Sequence, residues 1–462
     1  MQSVFEKQLE SHAIDLGSAV QVLADQCRDA GIGASDCSTN GATPESRTRT
    51  VGSILATVGH LQTLLFQLEP TLFLQQLASQ NQLLACLQWL GEFQVLAFVP
   101  LGANCSVPIK DVADLADVPE AHLSRVVRIM AIAGFLREPQ PGHIEHTALS
   151  ASFVTRPAHL DAAMFLAETI APSALHMAAA SRQHSTARAF GFGADGSACD
   201  AGDSAYTLAT RGSPTEDSTF QLAFERRKRL QRQWPAYLNS VGDTDDAAAE
   251  LLGQLDWIGL GNSCVVDVGG PIPGRTNTGN RCAIQALADL YPALSFAVQT
   301  EDPSAPISPS FPDPGRRISV HKRPNGAPQT IKDAAVYMVR LSTSSSPPIV
   351  PIRERILSEL RSHLRVLEGN RSALLILTPR LLPDPGSVDV QVESMARLRD
   401  LSLLQLANER DLNMQELMDL VDSVHDANGR LVVIKQLRSR NSSVVALGIR
   451  YQSHSERPLN AA

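Results

Sequence analysis

The chain has 462 residues, enough for two or three domains of ordinary size, and 44% hydrophobic with 19% charged residues is the composition of a globular protein with a sizeable core. A formal net charge of −8 excludes coating of nucleic acid or of an anionic membrane by bulk electrostatics, while leaving room for a local basic patch. Seven cysteines, scattered and without C-x-x-C spacing, exclude a disulfide framework and a cysteine zinc site and fit reduced thiols of the cytosol or nucleus. The N-terminal residues alternate charged and apolar side chains, without the basic start and apolar run of a secretory signal. Apolar stretches are read as far short of the ~20 residues that span a bilayer.

Residues 1–30 predict a helix, with Val4, Leu9, Ala13, Leu16, Val20 and Leu23 spaced for one apolar face. Residues 31–50 read as a polar, small-residue linker. From Val51 to about Val99 the pattern is helical and apolar, richest in NQLLACLQWLGEFQVLAFVPL over 81–101. So much aliphatic surface needs a core or a second subunit to cover it. The segment 107–147 reads as helix, turn, helix and short hairpin. Pro119 opens its second helix, Leu123, Val126, Val127, Met130 and Ile132 supply the buried face, and Gly134 ends it. Leu136 and Ile144, on either side of Pro139–Gly142, predict two short strands. This order is that of a winged helix.

Residues 184–220, rich in Gly, Ser, Asp and Thr, read as a loop or insertion, followed by a helix from about Ser218 to Leu238. Beyond it strands and helices alternate. CVVDVGG is a buried strand ending in glycines, RCAIQALADLYP a helix, LSFAVQT a second strand and AAVYMVRL a third. PIRERILSELRSHLRVL is an amphipathic helix and SALLILTP a further strand, with LVVIKQLRS and SVVALGIRY as a terminal antiparallel pair. Such alternation predicts a mostly parallel sheet covered on both faces.

The winged-helix-like segment, CVVDVGG, FAVQT and the late run RLRDLSLLQLANERDLNMQELMDLVDS together resemble the small-molecule O-methyltransferases of plants and fungi, over about residues 55–451. The N-terminal half is more specifically similar to methyltransferase-like co-activators of fungal aromatic polyketide clusters, that of the aflatoxin cluster among them. The resemblance implies a mixed fold: an N-terminal all-α winged-helix-like dimerisation domain, then an α/β Rossmann-like methyltransferase domain. The expected division is 1–50 N-terminal helix and linker, 51–155 dimerisation domain, 156–240 helical connector with a polar insertion at 184–220, and 241–455 the methyltransferase-like domain.

In such enzymes a D-x-G-x-G loop follows the first strand, its glycines letting the backbone approach S-adenosylmethionine. Asp267, Gly269 and Gly270 keep the start of that corner, but Pro271 stands where the second required glycine belongs. Proline fixes φ and lacks an N–H, so it cannot replace glycine's freedom. Pro273 and RTNTGN further delay the next helix. Thr300 occupies the position of the ribose-binding acid, with Glu301 and Asp302 following it. Glu301 could serve only if the strand ends at Thr300. The family's His-Asp pair after the third strand is missing from VRLSTSSSPPIVP, and a positioned general base contributes ~10²–10⁴ in rate. His363 lies in a charged amphipathic helix and reads as solvated.

The basic run Arg226, Arg227, Lys228 and Arg229, with Arg232 beyond, reads equally as a nuclear-import or acidic-partner contact and as a solvated helix face. Arg125 and Arg128 are too few for base readout in an acidic protein, so direct nucleic-acid binding is not expected. Trp89 and Phe93 in the apolar 81–99 helix are candidate interface anchors.

The expectation is a degenerate O-methyltransferase scaffold acting as a co-activator, with no catalytic residue, no metal and no cofactor. Asp267, Gly269, Gly270 and Glu301 would be the vestige of the cofactor site. By resemblance its partner is a zinc-cluster transcription factor of a mycotoxin or pigment cluster, its compartment the nucleus and secondarily the cytoplasm, its state a homodimer without membrane attachment. The rival is an active S-adenosylmethionine-dependent O-methyltransferase of a phenolic polyketide.

Overall fold

The computed structural model describes residues 2–29, 44–102, 105–189, 203–212, 219–241, 251–270, 283–301, 317–341, 351–438 and 442–454. The chain divides into two compact units, 1–151 and 152–462.

The first unit begins with helices α1 (Gln2–Asp29) and α2 (Pro44–Leu68), which pack on each other. The apolar run expected to continue as helix is instead cut twice. Pro70 separates α2 from α3 (Thr71–Glu92), because proline has no N–H to continue the ladder. Gln94 then takes a left-handed φ of 52° before the short α4 (Val95–Phe98), so residues 81–99 are not one helix. Leu90, Val95, Leu96 and Val99 are buried. So are Ile109 and Val112 of α5 (Ile109–Ala116) and Leu123, Val127 and Met130 of α6 (Glu120–Ile132). Ile132, expected inside, is 84% exposed, since at 100° per residue it falls on the face opposite Leu123, Val127 and Met130.

Gly134, at φ 74°, closes α6: its N–H donates to the Ala131 carbonyl and that of Phe135 to the Met130 carbonyl. A small sheet in the order β1 (Val107–Pro108), β3 (His143–His146), β2 (Leu136–Arg137) adds one strand to the expected hairpin. Buried His146 pins this layer, its Nδ1 2.8 Å from Ser150 Oγ and its Nε2 3.1 Å from the Leu96 carbonyl.

One expectation about length fails here. Thr50–Leu68 is 19 residues without a charged side chain, with a mean hydropathy of 1.3, and 6% of it is buried. By length and composition alone it is apolar enough to cross a bilayer.

The second unit opens with helices. After α7 (Ala148–Thr155), which crosses the boundary, come α8 (Pro157–Phe165), a π-turn at Leu166–Ile170 and α9 (Ala171–Ala189). Within the expected 184–220 loop lies a helix, α10 (Ala205–Thr210), capped by Ser204. The single helix expected over 218–238 is two, α11 (Phe220–Arg226) and α12 (Lys228–Val241), broken where Arg227 turns extended. Phe165, Tyr206, Phe220, Trp234 and Tyr237 close on one another in edge, tilted and stacked contacts of 5.1–6.3 Å. This packing overrides the polar composition of the insertion and draws α10 into the core.

The main sheet has seven strands in the order β6-β5-β4-β7-β8-β10-β9: β4 (Cys264–Val268), β5 (Ser295–Thr300), β6 (Ile318–Lys322), β7 (Ala334–Arg340), β8 (Leu374–Thr378), β9 (Gly429–Arg438) and β10 (Val445–Ser453). The first five are parallel and β10 is antiparallel to β8 and β9. The expected third strand is thus the fourth in chain order. The one missed, β6, is an edge strand whose alternating exposure in ISVHK hides among basic and proline residues.

Helices α13 (Ala283–Leu290), α14 (Ile352–Gly369), α15 (Val390–Ala407) and α16 (Met414–Asp422) complete the unit. One sheet face packs Val266, Tyr337, Val339 and Leu375 against α14 and α16, and the other packs Val265, Phe296, Val298 and Met338 against α13 and Trp257. The inner strands are continuous apolar runs because both faces are covered.

Candidate cofactor corner

Asp267 is the fourth residue of β4 and is fully buried. By strand alternation it shares a face with Val265, and on the neighbouring strand Met338 and Arg340 point the same way. Arg340 ends β7 and meets the carboxylate with two nitrogens, Nε at 2.8 Å from Oδ1 and Nη2 against Oδ2. Both partners are almost without solvent contact. A bidentate guanidinium–carboxylate pair is the strong form of such an interaction, and a dry site is costly to enter without it.

The two glycines serve the same pair. Gly269, at φ 74°, donates its N–H to the Gln299 carbonyl, and a Cβ on it would collide with the Arg340 carbonyl oxygen. A Cβ on Gly270 would lie 2.6 Å from the Arg340 guanidinium carbon and against Asp267 Oδ2. Their lack of a side chain is therefore used up by the chain's own backbone and by the ion pair. Glu301 is exposed and follows directly on β5, which does end at Thr300. Thr300 itself is buried. Pro271, Pro273, the RTNTGN stretch, Asp302 and residues 342–350 lie outside the described residues.

Sequence reasoning passed over Arg340, treating it only as the margin of a segment that lacks histidine. A signal was available: an arginine closing the apolar strand AAVYMVR has to be paired if it is buried.

A second polar network sits on the opposite sheet face, between β5 and α14. Arg323 binds both carboxylate oxygens of Glu359, at 3.1 and 3.0 Å, and Ser362 Oγ at 2.8 Å. The Gly326 N–H donates to Glu359 at 2.7 Å. Gln299 and Gln329 exchange amide hydrogen bonds of 2.9 Å, and Gln329 Nε2 lies 3.2 Å from His363 Nε2. His363 Nδ1 faces the Glu359 carbonyl at 2.7 Å, and its ring stands edge-on to Tyr337.

His363 is thus fully buried, not solvated. The helix's inward face carries Glu359 and His363 beside Ile356, Leu360 and Leu367, so its charge pattern does not mark the wet side. Burial lowers the His363 pKa to about 4 and pushes the Tyr337 hydroxyl up to about 12. The imidazole is neutral and locked at neutral pH, lies across the sheet from Asp267, and has no place in chemistry at the corner.

The basic run occupies the break between α11 and α12, with Arg226, Lys228 and Arg229 exposed. Arg229 reaches Glu168 in the π-turn at 2.6 Å, and Arg232 reaches Asp161 at 2.8 Å. In the first unit Arg125 and Arg128 are exposed, the latter 3.6 Å from Glu138. Trp89 and Phe93 pack at a tilt against each other with centroids 5.0 Å apart, Phe93 being 40% exposed.

Comparison with known proteins decides the family. The monodictyphenone cluster transcriptional coactivator mdpA of Emericella nidulans is 42% identical, over 97% of this chain and 98% of its own. The chain belongs to the family of fungal gene-cluster transcriptional coactivators. The trypacidin cluster transcriptional coactivator tpcD of Aspergillus fumigatus is 41% identical over 96% of each chain. Residues 6–66 match the family described as the trypacidin cluster transcriptional coactivator tpcD N-terminal domain. Among solved structures, the mitomycin 7-O-methyltransferase MmcR superposes with a TM-score of 0.54 at 16% identity, covering 84% of this chain and 99% of its own. The coactivators of this family therefore include a chain built on an O-methyltransferase fold.

Proposed function

We propose that this protein is a transcriptional coactivator of a fungal aromatic polyketide gene cluster, acting by protein contacts on a methyltransferase fold that holds no cofactor. Full-length similarity to the monodictyphenone cluster coactivator carries this reading. The described part of the cofactor corner agrees with it. Asp267 has both oxygens on Arg340, and the glycines abut the chain's own atoms, so this half of the corner does not fit S-adenosylmethionine.

The partner in this reading is a DNA-binding activator of the zinc-cluster class, met in the nucleus, and the first unit is the dimerisation module of a homodimer. The run of exposed Arg226, Lys228 and Arg229 around half-buried Arg227 is its candidate import or partner patch. Deleting the gene should lower transcripts of neighbouring cluster genes at least tenfold, and the wild-type gene should restore them. Unchanged transcripts together with loss of one methylated metabolite would overturn the reading in favour of the enzyme. The feature that keeps the O-methyltransferase alternative alive is Glu301, placed directly after a strand that ends at Thr300.

A further inference from the structure

We infer that the exposed apolar face of α2, with the start of α3, is a docking face for an amphipathic helix of a partner protein whose apolar face is flanked by basic residues. The inference rests on the coactivator reading and names the surface through which it works.

The apolar residues left in solvent are not scattered. Val51, Leu55, Val58, Leu65 and Leu68 follow each other at spacings of four, three, seven and three, which is one face of a helix. Leu55 is 53% exposed, Leu68 62%, and Leu74 on α3 66%. Leu64, one turn before Leu68, is buried and, with half-buried Ile54 and Leu61, marks the adjoining face of α2 that packing takes up. From Val51 to Leu68 the stripe runs about 25 Å at ~1.5 Å per residue, the length of a helix of several turns. Apolar stripes of this size on a helix surface are binding faces for other helices.

Charge selects the occupant. α2 opens on Glu45, Arg47 and Arg49, and from there to Lys110 there is no further lysine or arginine, the acidic residues being Glu69 and Glu92. The adjoining α1 exposes Glu6, Glu10, Asp15 and Asp25 against Lys7 and Arg28, the last of which is paired with Asp25. An apolar stripe with an acidic fringe repels an anionic bilayer, whose surface-bound helices carry lysine and arginine on their polar face. A second copy would bring acidic fringe to acidic fringe, so the homodimer proposed above would form through another face of the first unit. A helix with basic flanks satisfies both the stripe and the fringe. The match of residues 6–66 to a coactivator N-terminal domain falls on this same helix pair.

The test uses the full chain and two labelled synthetic helices with one leucine face, flanked by lysine in one and by glutamate in the other. In fluorescence anisotropy the wild type should bind the lysine-flanked peptide at least tenfold more tightly than the glutamate-flanked one. Leu68→Asp/Leu74→Asp should lose tenfold or more, with circular dichroism and Tm unchanged because both sites are exposed. Equal affinity for the two peptides, or undiminished binding by the double variant, would overturn the inference. So would a wild-type dimer in sedimentation that the double variant dissolves, or binding to phosphatidylserine vesicles that it abolishes. Complementation of the deletion strain separates this from the broader reading. If the wild type and the double variant restore cluster transcripts equally, the docking face is wrong and the coactivator stands. If transcripts never depended on the gene, the coactivator reading itself fails.

Discussion

Asp267 and Arg340 show how one contact can hold a fold and occupy a site at once. The strand and glycines of CVVDVGG make Asp267 legible in the sequence, whereas its partner lies 73 residues away and meets it only through adjacent parallel strands. Removing one member leaves an unpaired buried charge. Asp267→Asn or Arg340→Met should each lower the unfolding free energy by about 3–5 kcal/mol. The double variant Asp267→Leu/Arg340→Met should recover a large part of that loss. Urea denaturation with an unchanged m-value is the measurement, and equal losses in single and double variants would refute the pairing.

His363 gives the residue scale a pH dependence. Its folded pKa of about 4 lies below the ordinary 6.5, so between these values the unfolded chain binds the additional proton. Stability is therefore full above pH 6.5 and falls as the pH drops towards 4, by about 3–4 kcal/mol at most at ~1.4 kcal/mol per unit. His363→Gln should flatten that part of the pH profile. A slope that persists in the variant would assign it to other groups.

At the scale of elements, periodicity located α1, α5, α6, α14 and the inner strands, where apolar spacing and tertiary packing agree. It failed where a single residue or a distant partner decides. Gln94 breaks the apolar run by taking a left-handed φ that nothing in its neighbours announces. α10 forms because Tyr206 reaches an aromatic cluster assembled from α8, α11 and α12. β6 pairs only as an edge strand.

The same distinction between covered and uncovered faces sets the expected effects of substitution. Leu90→Ala, in a fully buried position, should cost about 2–5 kcal/mol. The Leu68→Asp/Leu74→Asp pair should stay within about 0.5 kcal/mol per site. Gly134→Ala meets no atom with its new Cβ, so the left-handed backbone alone should set a cost of about 1–2 kcal/mol. Thermal and urea unfolding of the three variants would expose any inversion of that order.

For the whole molecule, the alternation of strands and helices made the sheet legible. The coactivator role came from resemblance and then from relatives that match the full length, because no single side chain encodes it. The fold is shared with O-methyltransferases at 16% identity, while the described part of the cofactor corner is bound to itself. We propose that the methyltransferase fold persists here as a scaffold without its cofactor. Calorimetric titration of the purified full chain with S-adenosylmethionine is the decisive measurement. No saturable heat up to millimolar ligand is the predicted result, and a dissociation constant in the micromolar range would contradict it.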